Sequence, residues 1–230
     1  MRTRILWAVG IALVVYLAVT RQVLTVYTGI DILAAIVAIV LHEVAHGLAA
    51  LYYGDRTAAS RGRLSLNPLA HIDPFGTILL PALLIVSGLP AFGYAKPVPV
   101  NFSRLRHPRR DSLYVALVGP FVNLLLSAVG FVICELALHV TRSALMLNIG
   151  VYLGLVNLTL AVFNLLPIPP LDGSAIIERL VPNRHLPRYY QFRARALPLL
   201  MVLIIADSLF FHVGTGALGS LQQWWLNRLF

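Results

Sequence analysis

Charge is what this chain has least of. Of its 230 residues only 12% are Asp, Glu, Lys or Arg, while 59% are hydrophobic. A soluble domain carries about 25% charged residues, so a soluble globular fold is excluded and an integral membrane protein is expected. Acidic side chains are scarcer than basic ones, 9 against 18, for a net charge of +9. That surplus does not mark a nucleic-acid partner, because the basic residues sit in short segments between apolar runs, chiefly 96–110 and 179–195. Charge placed that way orients helices in a bilayer. Cysteine is nearly absent. The single Cys134 rules out an intramolecular disulfide and a cysteine-rich zinc site, and its apolar surroundings predict a packing role.

What is present in quantity is apolar sequence in long runs. Crossing about 30 Å of hydrocarbon takes about 20 helical residues. Runs at 32–53, 112–140, 145–166 and 194–211 meet that demand, and 5–20 is a shorter fifth. Arg2 and Arg4 ahead of 5–20 resemble the start of a signal peptide. No small-residue cleavage site follows, and Arg21 and Gln22 close the run, so a retained signal-anchor helix is expected. The tail 214–230 is weaker, with Trp224 and Trp225 suited to an interfacial belt.

Glycine and proline punctuate 54–111 densely. Residues 63–66 alternate polar and apolar, as do 96–100 in part, which predicts short strands. Between them 77–89 is apolar but only 13 residues long and carries Pro81, so it reads as a re-entrant or interfacial segment. Basic residues place the N-terminus, 56–63, 96–110 and 179–195 on the cytoplasmic face. Those assignments agree only if 77–89 enters and leaves by the same side.

The second apolar run contains His42-Glu43-Val44-Ala45-His46. Histidines at i and i+4 share a helical face, so both imidazoles can reach one ion, and Glu43 stands beside that face where it can take a proton from water. Shuffling this composition produces the motif in roughly three chains per thousand. Ionisable groups inside an apolar helix are costly and mark function by default. Catalytic zinc takes three protein ligands and leaves a position open. Among the few acidic residues Asp172 stands out, in Asn164-Leu-Leu-Pro-Ile-Pro-Pro-Leu-Asp172-Gly173 at the end of an apolar helix. Pro167, Pro169 and Pro170 stop that helix, and Gly173 permits a turn that aims the carboxylate inward. Turn structure suits His71 better than ligation. His107 and His185 suit solvated loops, and His139 and His212 suit helix ends.

These two motifs together resemble the site-2 protease family of intramembrane zinc metalloproteases. Gly119-Pro120-Phe121-Val122-Asn123 is similar to a glycine-proline-x-x-asparagine element in the family's middle core helix, and 93–100 resembles a stretch in compact prokaryotic members without PDZ or CBS domain. The resemblance covers about residues 30–180. It implies one Zn2+ per chain held by His42, His46 and Asp172, with Glu43 as general base and then acid. It places Asn164 beside the metal as a stabiliser of the oxyanion, makes Asn123 a second polar candidate near substrate or zinc, and makes 63–66 an edge strand for an extended substrate.

The expectation is therefore an all-α polytopic membrane protein with a three-helix catalytic core, flanking helices and a small β-containing re-entrant region. It forms a single membrane-embedded protease domain, with an N-terminal anchor helix (1–29), a catalytic core (30–180) and C-terminal helices (181–230). The expected partners are a transmembrane protein or peptide substrate and the lipid bilayer, with no nucleic acid. The expected place is a prokaryotic cell membrane, with the N-terminus and the opening of the site on the cytoplasmic side. One rival is a transporter or channel using the His/Glu cluster as an ion site, which gives Asp172 no reason to join it. Another is a scaffold pinned by structural zinc, which needs a fourth protein ligand such as His71.

Overall fold

A computed structural model describes residues 25–86 and 93–229, so the expected anchor helix at 5–20 lies outside the described residues. Four helices are long and apolar enough to cross a membrane: Val26–Tyr52, Pro108–Thr141, Ala144–Leu165 and Asn183–Phe211. They coincide with the four long runs read from the sequence. We label the regular helices α1 (Val26–Tyr52), α2 (Leu80–Val86), α3 (Pro108–Leu136), α4 (Ala144–Leu165), α5 (Ser174–Leu180), α6 (Leu186–Ala206) and α7 (Val213–Leu226). Helix α3 rises about 44 Å at 1.5 Å per residue, well beyond the hydrocarbon thickness. Its first turn, with Arg109 and Arg110, can therefore stand clear of the lipid.

Helices α1, α3 and α4 pack against one another in all three pairings and form the core, with the α3–α4 interface the most extensive. In a bilayer close approach depends on small residues, since lipid tails are as apolar as leucine. Gly130 on α3 meets α4 backbone to backbone, where an added Cβ would stand 2.5 Å from the Gly154 nitrogen and 2.7 Å from the Gly150 oxygen. Cys134 fills the next level, fully buried against Gly150, as its apolar context predicted. Helix α6 contributes little to this core, burying only Ala196 and Leu200. Helix α7 contributes more. Trp225 is buried with Cys134 and Leu158 and lies edge-on to Phe131 at 5.8 Å, so it is a core residue and not part of an interfacial belt. Trp224 stays 52% exposed, with the Arg228 guanidinium over its ring.

The β-containing re-entrant region is not supported. No strand occurs among the described residues. The reason lies in where the backbone groups go. Pro97 and Pro99 offer no N–H, and the Val98 N–H is donated to the Glu43 carboxylate, so 96–100 has too few donors for a ladder. The Ser65 carbonyl is taken by the His71 ring and the Arg63 guanidinium donates to the Lys96 and Pro97 carbonyls. Side chains do here what a partner strand would do. The 77–89 segment begins as a π-helical stretch, Pro74–Leu79, and continues as α2. Its flanks are tied together by Tyr94 N–H to the Gly76 carbonyl (3.0 Å), Thr77 hydroxyl to the Tyr94 carbonyl (2.9 Å) and Lys96 N–H to the His71 carbonyl (2.9 Å).

The chain between α1 and α3 is anchored at the same end of the bundle. Asp55 is fully buried and accepts the Thr57 N–H (2.9 Å), the Thr57 hydroxyl (2.5 Å) and the Asn101 N–H (2.6 Å). Burial alone would raise its carboxyl, but these hydrogen bonds, aided by nearby Arg104, hold it below its ordinary value of 3.8. The C-terminal ends of α1 and α4 and the N-terminal ends of α3 and α6 thus share one end of the molecule with the basic segments 56–63, 96–110 and 179–195.

Candidate metal centre

The two histidines sit one turn apart near the C-terminal end of α1, 8% and 9% exposed. Their Nε2 atoms are 2.9 Å apart, and Asp172 Oδ2 stands 3.1 Å from that of His42 and 3.4 Å from that of His46. Residues 130 positions apart in the chain are thereby brought to one point. Among the described residues this is the cluster of three or more such side chains able to hold a metal ion.

Each ring is oriented from behind. His42 Nδ1 donates to Asn123 Oδ1 at 2.5 Å and His46 Nδ1 donates to the Val115 carbonyl at 2.6 Å. Both acceptors belong to α3, and a carbonyl can only accept. When each imidazole is neutral and keeps its proton on Nδ1, as a metal-bound histidine does, both Nε2 lone pairs face Asp172, whose buried Oδ2 accepts no hydrogen bond. In that form three acceptors converge on one point. That arrangement fits a cation and little else. The three separations define a circle of radius about 1.8 Å, just inside the 2.0–2.2 Å that zinc keeps from histidine nitrogen and carboxylate oxygen.

Helix α3 can approach the rings because of Gly119, where an added Cβ would lie 2.5 Å from His46 Nε2 and 2.7 Å from His42 Cε1. Pro120 lacks an N–H and crowds the carbonyl four residues back. That carbonyl belongs to Ala116, one residue beyond the Val115 carbonyl that takes His46. The glycine-proline pair is thus a docking feature for the imidazoles.

Asp172 is placed by a compact turn after α4. The Gly173 N–H donates to the Asn164 carbonyl at 2.7 Å, Leu171 N–H to Ile168, and Ala175 N–H to Asp172. Gly173 is needed for closeness and not for an unusual backbone angle. Its φ is −58°, and a Cβ there would meet the Leu165 carbonyl carbon and the Leu166 oxygen at 2.5 Å. Glu43, half-buried, is fixed by the Val98 N–H, which its Oε2 accepts at 2.6 Å. Because Pro97 and Pro99 flank Val98, that N–H is the single backbone donor of 97–99.

The two asparagines fare differently. Asn123 is fully buried on the far side of the His42 ring from Asp172, and its Nδ2 donates to Asn157 Oδ1 at 2.7 Å. Asn164 turns its amide to its own helix, donating to the Leu160 carbonyl at 3.0 Å. His71 lies outside the cluster, buried with Nε2 on the Ser65 carbonyl at 2.8 Å, so the fourth protein ligand required by a structural zinc scaffold is not supplied by it. His107, His139, His185 and His212 are exposed. Asn157 and the backbone groups of Val98 and Val115 were not among the expected site residues. An asparagine in the middle of an apolar helix was the available signal for the first; backbone groups carry none.

A polytopic helical membrane protein with two histidines and a distant carboxylate converging on one point belongs to the class of membrane metalloproteins. Comparison with known proteins narrows this. The description Peptidase family M50 matches residues 139–206. The chain is 42% identical over 158 residues to "Putative zinc metalloprotease YwhC" of Bacillus subtilis, covering 66% of this chain and 68% of that protein. It is 35% identical over 211 residues to "Putative zinc metalloprotease Rip2" of Mycobacterium tuberculosis, covering 89% and 78%. No solved structure matches it. The chain belongs to peptidase family M50, the site-2 protease family its motifs resemble.

Proposed function

We propose that this integral membrane protein is a zinc-dependent protease that hydrolyses peptide bonds in or next to transmembrane segments of other proteins. The observation that carries the proposal is the convergence of His42 Nε2, His46 Nε2 and Asp172 Oδ2 on one point, with no hydrogen bond accepted at that oxygen. These three residues would hold the ion, which supplies Lewis acidity that brings the pKa of a water from 15.7 towards about 7. Glu43 takes the proton released from the attacking water and returns it to the departing amine. The Val98 N–H bonds one carboxylate oxygen and leaves the other for that transfer. Asn123 orients His42. Asn164, at the base of the turn that carries Asp172, would donate to the developing oxyanion after releasing the Leu160 carbonyl.

The catalytic core is residues 30–180, with 181–230 as flanking helices of one membrane-embedded domain; the burial of Trp225 against α4 supports that grouping. The basic segments that gather at the site's end of the bundle support an opening towards the cytoplasm. The test is to purify the protein in detergent, measure zinc per chain, and compare cleavage of a transmembrane reporter by wild type and Glu43→Gln. Glu43→Gln should keep its zinc and lose activity by about 10²–10⁴-fold, the contribution of a positioned general base. Equal cleavage by the two proteins removes Glu43 from the mechanism, and a wild type without zinc removes the metalloprotease reading.

A further inference from the structure

Asn157 belongs to none of the motifs that led to the site, yet it is fully buried in the middle of α4. A primary amide placed there is expensive unless every polar atom is used. Its Oδ1 accepts from Asn123 Nδ2 at 2.7 Å and its Nδ2 donates to the Leu153 carbonyl of its own helix at 2.9 Å. Asn123 in turn accepts from His42 Nδ1 and places its Nδ2 3.4 Å from the Ala38 carbonyl of α1. The chain of bonds runs Leu153 carbonyl, Asn157, Asn123, His42. It joins all three core helices and has one polarity, because the Leu153 carbonyl can only accept.

That polarity has a consequence at the metal. A carbonyl end makes Asn157 present its oxygen to Asn123. Asn123 must then present its amide nitrogen to Asn157 and its oxygen to His42. His42 must therefore carry its proton on Nδ1 and turn the Nε2 lone pair to Asp172. We propose that Asn157 is a positioning residue for the metal centre: it fixes the amide orientation of Asn123 and, through it, the tautomer of His42. The proposal rests on the metalloprotease reading above.

The test uses the full-length protein in detergent, stripped of metal and titrated with Zn2+ against a chelating dye, with the absorption spectrum of the Co2+-loaded form as a second readout. Asn157→Leu keeps the volume and removes both polar atoms. Asn157→Asp, neutral in its buried carboxylic form, can accept from Asn123 and donate to Leu153 as the amide does. Asn148→Leu, on the same helix where Asn148 serves only the Ala144 carbonyl, is the control. Asn157→Leu should weaken zinc about 10–100-fold, the range for a lost partner behind a metal-bound histidine, and shift the Co2+ bands. Asn157→Asp should stay within about threefold of wild type, and Asn148→Leu should match it. Zinc binding by Asn157→Leu equal to wild type overturns the proposal, as does a loss that Asn157→Asp shares in full. A wild type that fails to bind zinc overturns the metalloprotease reading itself, a distinct outcome.

Discussion

Replacing Gly119 by alanine puts one methyl group between α3 and the two imidazoles. The new carbon would stand 2.5 Å from His46 Nε2, 2.6 Å from His46 Cε1 and 2.7 Å from His42 Cε1, against a contact distance of about 3.5–4.0 Å. Relief of about 1 Å must come from somewhere. The rings are held at their far nitrogens by Asn123 and Val115, both on α3, so rotating either ring stretches one of those bonds. Backing α3 away stretches both. One or two hydrogen bonds at about 1 kcal/mol each, with overpacking strain of about 1–3 kcal/mol, span about 2–5 kcal/mol, with roughly 3 kcal/mol near the middle. At 1.4 kcal/mol per tenfold, zinc affinity should fall on the order of 100-fold. The assay is competitive zinc titration of the purified protein, with Gly29→Ala as control, since nothing lies within 4 Å of a Cβ there. Gly119→Ala binding zinc within twofold of wild type would show that α3 does not press on the rings as described.

Other outcomes follow from the same geometry. A chelator should lower the melting temperature of the zinc-loaded wild type, because a ligand bound only by the folded state stabilises it by mass action; Asp172→Ala should melt at nearly the same temperature with and without chelator. Val98→Pro removes the N–H that holds Glu43 while adding a residue type already on both sides, so reporter cleavage should drop at least tenfold with zinc content unchanged. Asp55→Asn loses charge-assisted hydrogen bonds to Thr57 and Asn101 and should cost about 1–2 kcal/mol at neutral pH. The folded Asp55 carboxyl lies below its ordinary value, so its stabilisation is present above about pH 4 and is lost as pH falls through the folded value. The gap in melting temperature between wild type and Asp55→Asn should therefore narrow on acidification, and a gap that widens contradicts the assignment.

Helix α1 shows how much of the arrangement was legible in one dimension. Its apolar length demanded a membrane span, and histidines at i and i+4 demanded a shared face, whatever the rest of the chain does. Asp172 was legible because few acidic residues compete with it and because prolines end the preceding helix. The predicted strands at 63–66 and 96–100 failed for a tertiary reason. Alternation reports which side chains could share a face, but a ladder needs free donors and acceptors. Glu43, Arg63 and His71 claim them from elements that lie up to 55 residues away in sequence. Trp225 failed similarly, since the gap above Gly154 that receives it exists only after α3 and α4 have docked.

The sequence by itself determined that the chain is built of membrane-crossing helices and that it carries a divalent-metal motif, because both follow from hydrophobicity and from the period of one helix. Only the tertiary structure decided which nitrogen of each histidine faces Asp172, why Gly119 and Gly173 must lack a side chain, and that Asn157 joins the hydrogen-bond chain behind His42. Those are matters of distance and of donor meeting acceptor between helices. Such contacts have no fixed spacing along a chain.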